Sequence, residues 1–154
     1  MNTRPLSQTP RALKIATWIA QVVAAAILLQ TLAFKFTGAA EAKATFEALG
    51  AEPFGRYAVG VAELIVGLLL LIPATAALGG LGAIALMVGA IGSHLFTPLG
   101  IAPGGDPSLF ILAWVVLFAG ITVAAIRRAQ LKQWAVRLLP GGQHTAVNTA
   151  HGTR

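Results

Sequence analysis

The stretch Tyr57-Ala-Val-Gly-Val-Ala-Glu-Leu-Ile-Val-Gly-Leu-Leu-Leu-Leu-Ile72 carries a single ionisable side chain among its apolar residues beyond Tyr57, the carboxylate of Glu63. Without Glu63 the run reads as a membrane span. An acidic residue at a helix centre costs about 2.5–3.5 kcal/mol on insertion, so it marks a functional position by default. Gly60 and Gly67 lie three residues before and four after it, which puts all three on one helical stripe. Small residues let helices approach closely in lipid, so Glu63 is predicted to face the bundle rather than the bilayer.

Working outward, three more apolar runs are long enough to cross a hydrocarbon core of about 30 Å: Ile15–Phe34, Ala74–Phe96 and Ser108–Ile126. Pro73 separates the second run from the third and predicts a tight helical hairpin. Asp106-Pro107 opens the fourth, with Asp106 as N-cap and Pro107 at the first helical position. The third run is rich in small residues four apart: Ala76/Gly80, Gly79/Ala83 and Ala85/Gly89/Ser93. The chain is 56% hydrophobic and 10% charged, with a mean hydropathy of +0.78. A soluble domain carries about 25% charged residues, so this is membrane composition. The expected fold is an all-α, integral membrane four-helix bundle. Residues 1–14 form a basic N-terminus, 15–126 the bundle, 127–139 an amphipathic interfacial helix and 140–154 a disordered tail. Between spans one and two, Ala39–Leu49 is rich in Ala, Glu and Lys and predicts a short helix stopped by Gly50. Phe46 and Leu49 form its apolar side.

Charge orients the bundle. Arg4, Arg11, Lys14, Arg127, Arg128, Lys132, Arg137 and Arg154 share one side, whereas Lys35, Lys43 and Arg56 lie opposite among Glu41, Glu47 and Glu52. The positive-inside rule then places both termini in the cytoplasm and the protein in the cytoplasmic (inner) membrane. The first run is longer than the 7–15 residues of a signal-peptide core, so it is read as an uncleaved helix despite Ala24-Ala25-Ala26. The net charge of +6 suits a lipid surface. No basic stripe on a soluble domain and no aromatic platform points to nucleic acid. The chain has no cysteine, which excludes thiolate nucleophiles, disulfide exchange and cysteine-ligated metals by this chain alone. His144 and His151 read as solvated tail residues, and no metal-ligand spacing is present.

The polar residues gather at one depth. Glu63 lies six residues past Tyr57, about 9 Å below the outer boundary. His94, with Ser93 beside it, is near the outer end of span three. Lys35 ends span one, with Gln30 just below it; Gln21 is the main polar group of the inner half. This predicts an outward-facing polar cavity walled by Glu63, Lys35 and His94. Each residue also has a plainer reading: Lys35 snorkels to the interface, His94 is a hydrogen-bonded helix-end residue, and Glu63 pairs with Lys35 or Arg56 to hold helices in register.

Three segments, in order, resemble the DoxX-like family of small four-helix membrane proteins. They are Phe34-Lys-Phe-Thr-Gly38, Phe46-Glu-Ala-Leu-Gly50 and Gly60-Val-Ala-Glu-Leu-Ile-Val-Gly-Leu-Leu-Leu70. In that family a lysine and glycine follow the first helix, and a Gly-x-x-Glu-Leu motif opens the second. Gly89-Ala-Ile-Gly-Ser-His-Leu95, continuing to Gly100 and Gly105-Asp106, is similar to the family's third helix and loop. The likeness covers about residues 16–126. It implies an inner-membrane protein linked to quinone handling or oxidative-stress complexes, with Lys35 and Glu63 as matching positions and a quinone as its ligand. Most members of the family have no established activity, so the resemblance does not make this chain a redox enzyme.

Three functions follow as expectations. In the first, the chain is an accessory subunit of an oxidoreductase partner. Its pocket binds a quinone-like ligand, with Lys35 and His94 donating to a carbonyl and Glu63 orienting them or relaying a proton; Gln30 and Ser93 complete the polar set. In the second, it is a proton-coupled transporter acting through Glu63 as a homodimer. In the third, it is a structural partner protein in which Lys35 and Glu63 only set register.

Overall fold

A computed structural model describes residues 10–138. The expectations for Arg4, the disordered tail and its two histidines lie outside these residues. Six helices follow in order: α1 (Arg11–Thr37), α2 (Ala40–Ala48), α3 (Phe54–Leu71), α4 (Ala76–Phe96), α5 (Ser108–Ile126) and α6 (Arg128–Leu138). Four of them, α1, α3, α4 and α5, are long and apolar enough to span a membrane, and the chain is a multi-pass membrane protein. Within their most apolar stretches only 28–39% of residues are buried by the protein itself. Large apolar side chains such as Ile19, Phe96 and Phe118 face outward, as lipid contact requires.

The helices form a ring. α1 packs on α3 and α5, and α4 packs on α5 and α3. Because lipid tails are as apolar as leucine, close backbone approach drives this packing. A Cβ on Gly79 would sit 2.6 Å from the Leu70 backbone nitrogen, so α3 and α4 touch main chain to main chain beside the Pro73 turn. Gly80 and Gly120 join α4 to α5 in the same way, each Cβ position 3.0 Å from the other's carbonyl oxygen. Leu28, Leu70, Val116 and Val123 fill the centre and are almost wholly buried. Gln21 is buried here too, its amide donating to the Thr17 carbonyl at 3.1 Å.

Tight packing does not run the length of the bundle. A Cβ on Gly82 would meet Val66 of α3 at 2.7 Å. Gly89 lies seven residues further along the same face of α4, yet nothing stands within 4 Å of its Cβ position. α3 and α4 therefore meet at the Pro73 turn and stand apart at the opposite end. The Ala85/Gly89/Ser93 series makes room there rather than contact.

Both ends of the bundle are tied. At the turn end, Arg127 Nη1 donates to the Pro73 carbonyl at 3.0 Å, and Gln130 Nε2 donates to the same oxygen at 2.8 Å. Trp134 Nε1 reaches the Ala74 carbonyl at 3.3 Å, so α6 is latched to the α3–α4 hairpin. At the other end, α2 packs on α1 and α3, and its Phe46 is buried. Pro107 precedes α5 by one residue, so the helix starts one position later than its sequence suggests. Asp106 still serves that end, accepting the Ser108 N–H at 2.9 Å and its hydroxyl at 2.6 Å. Those two donors hold the Asp106 carboxyl below the usual carboxylate range.

Candidate functional site: a polar wall in an apolar cavity

The gap between the splayed helices is a cavity of about 380 Å³. Ile27, Leu28, Leu86, Met87 and Leu112 supply much of its apolar lining, and Phe46 and Leu49 of α2 also line it. Its polar groups are Thr31, Lys35, Thr45, Glu63, Ser93 and His94, drawn from α1, α2, α3 and α4. Four of the five residues singled out by sequence thus share one cavity. Gln30 does not: it is exposed and absent from the lining. Two residues beyond the buried Leu28 is about 200° around the helix, so Gln30 points away from the face that carries Thr31 and Lys35.

Lys35 lies in the last turn of α1, which ends at Thr37. Gly38 takes a left-handed conformation (φ 68°) and Ala39 N–H closes the turn onto the Phe34 carbonyl. The Lys35 ammonium donates to Glu63 Oε1 at 2.8 Å, with the two side chains 14% and 5% exposed. The lysine turns inward to a counter-ion instead of snorkelling. Of the two cations considered for Glu63, Lys35 is the one in contact. Glu63 Oε2 is buried and lacks a hydrogen-bond donor. Thr31 stands beside the carboxylate, but its hydroxyl proton goes to the Leu28 carbonyl at 3.0 Å.

Arg56 takes another role, one that sequence reasoning missed. It is 3% exposed, grips the Glu52 carboxylate at 2.8 and 3.0 Å through Nε, and lies 4.3 Å over the Tyr57 ring. Its Nη1 also donates to the Lys35 carbonyl, a helix-end oxygen that α1 itself leaves without a partner. α3 thus holds Lys35 at both its main chain and its side chain. The signal was present: Arg56, Gly60, Glu63 and Gly67 fall on one stripe at helical spacing, and all four are buried.

His94 is buried, with its ring set edge-on to Phe110 at 5.5 Å between centroids. Its Nδ1 lies 2.6 Å from the Gly100 carbonyl oxygen. A carbonyl only accepts, so Nδ1 carries a proton and donates it to Gly100. Gly100 has φ 69°, a left-handed backbone that glycine adopts without strain and that aims its carbonyl at the ring. Ser93 spends its own proton on the Gly89 carbonyl at 3.0 Å. Among the described residues no three His, Asp or Glu side chains gather into a metal-binding group.

No family model, curated protein or solved structure matches the chain.

Proposed function

We propose that this protein is a DoxX-like inner-membrane subunit that binds a small quinone-class ligand in the cavity at the α2 end. Both termini lie in the cytoplasm on this reading, and electron transfer belongs to an oxidoreductase partner. One observation carries the reading: a Lys–Glu pair forms part of the wall of an otherwise largely apolar cavity at membrane depth. Ligand sites of this kind combine an apolar body with a few convergent polar groups. A quinone ring suits the apolar walls, and Lys35 retains two N–H donors for one of its oxygens. An intramembrane ion pair is costly to maintain and is retained at functional positions.

The closed packing around Gly79, Gly80 and Gly120 weighs against transport, because alternating access needs a second route out of the site. A purely structural role for the pair leaves the cavity beside it without a purpose.

The deciding experiment is thermal unfolding of detergent-purified wild type and Glu63→Gln with and without a short-chain quinone. Stabilisation of the wild type alone supports the assignment. Equal shifts in both proteins, or none in either, count against a site at Glu63.

A further inference from the structure

We propose that the cavity selects the hydroxylated, reduced form of its ligand, a hydroquinone or phenol head, over the carbonyl form. This rests on the reading above that a quinone-class molecule is the occupant, and it adds the chemical state in which that molecule is held.

The polar groups of the cavity have mostly acceptors left to offer. Glu63 Oε2 is buried with no donor. His94 has committed its Nδ1 proton to Gly100, and in its neutral form the ring presents Nε2 as an acceptor. Ser93, Thr31 and Thr45 have given their protons to the Gly89, Leu28 and Glu41 carbonyls, and their oxygens can only accept further bonds. Against these five acceptors stands, among the described lining residues, one donor group, the Lys35 ammonium, with one of its protons already on Glu63. A quinone oxygen accepts and never donates. It would satisfy Lys35 and leave the carboxylate oxygen and the imidazole nitrogen without partners. A buried acceptor left unpaired costs more than a made bond returns. A hydroxyl does both: it accepts from Lys35 through its lone pairs and donates its proton to Glu63 or His94. The reduced head matches the wall, and the oxidised head matches half of it.

The test compares three probes of one ring on the full-length protein in detergent under anaerobic conditions: duroquinol, duroquinone and the dimethyl ether of duroquinol. Binding is measured by titration calorimetry and corrected for partition into empty micelles. The quinol is expected to bind at least about tenfold tighter than the quinone, as one extra bond to a charged group implies, with the ether weakest. Glu63→Gln supplies amide donors and His94→Phe removes the Nε2 acceptor while keeping a ring on Phe110; each narrows the gap. Quinone binding as tight as quinol binding overturns the selectivity but leaves a quinone-class site standing. Ether binding as tight as quinol binding also overturns it, because the ether has no proton to give. Absence of binding by all three overturns the functional reading and this inference together. The wild-type comparison needs no variant, so a variant that fails to fold does not blunt it.

Discussion

Lys35 and Glu63 meet at 2.8 Å across 28 residues of chain, and the same helix that presents Glu63 also presents Arg56 to the Lys35 carbonyl. The pair and the clasp act on one residue from two directions. Breaking a buried ion pair from one side leaves an uncompensated charge, which costs about 3–5 kcal/mol. Lys35→Met is expected to lose about that much in thermal or denaturant unfolding in detergent. Adding Glu63→Leu should restore most of it, since apolar replacement of both partners is often neutral. A double variant as unstable as the single would show that the two residues do not act as a pair.

Two glycines of α4 should answer the same substitution oppositely. Gly79→Ala forces a methyl to 2.6 Å from the Leu70 backbone, so a loss of about 1–3 kcal/mol is expected. Gly89→Ala meets nothing within 4 Å and should be neutral or gain up to about 1 kcal/mol of helix propensity. Unfolding midpoints of both variants decide the point. Gly89→Leu carries this further: it should fill cavity space and weaken quinone binding while leaving the midpoint near that of the wild type.

The latch at the turn end gives a third expectation. Arg127→Met removes a charge-assisted bond to Pro73 and should cost about 1.5–3 kcal/mol. α6 should then be cut faster under limited proteolysis, while ligand binding at the far end of the bundle holds. An unchanged digestion rate would show that α6 is held by other contacts.

Asp106 supplies a pH dependence. Ser108 holds its carboxyl below the usual carboxylate range, so the folded state keeps the ionised form more readily than the unfolded chain. The stability it contributes is complete above the unfolded value of about 3.9 and fades as pH falls through the lower folded value. Asp106→Asn, which stands in for the protonated carboxyl, should flatten that acid limb and lower stability at neutral pH by about the amount that the wild type loses on acidification. Unfolding midpoints across the acid range test the sign.

Spans could be read from sequence because each is a long apolar run, and α5 coincides with its apolar run Ser108–Ile126, though Pro107 caps the helix instead of opening it. α1 begins four residues earlier than its apolar run, since Arg11 and Lys14 continue a helix that hydropathy alone cuts short. Lys35, Glu63, Ser93 and His94 were found by depth, which composition and rise per residue supply. What depth cannot give is azimuth, and Gln30 shows the cost: right height, wrong face. Arg56 escaped for a different reason. A basic residue at the start of a span looks like an interfacial anchor, and only the fold reveals the Lys35 carbonyl above it. The His94 proton was equally hidden, because its position depends on Gly100, a loop residue whose backbone turn has no periodic signature.

The order of the ion pair along the chain has its own consequence for how the protein is made. Lys35 closes α1, so translation delivers it 28 residues before Glu63. During co-translational insertion the first helix is already in the bilayer when α3 reaches it. The most expensive side chain of the bundle thus arrives to find its counter-charge waiting, and assembly of α1 with α3 can begin before α4 and α5 have left the ribosome.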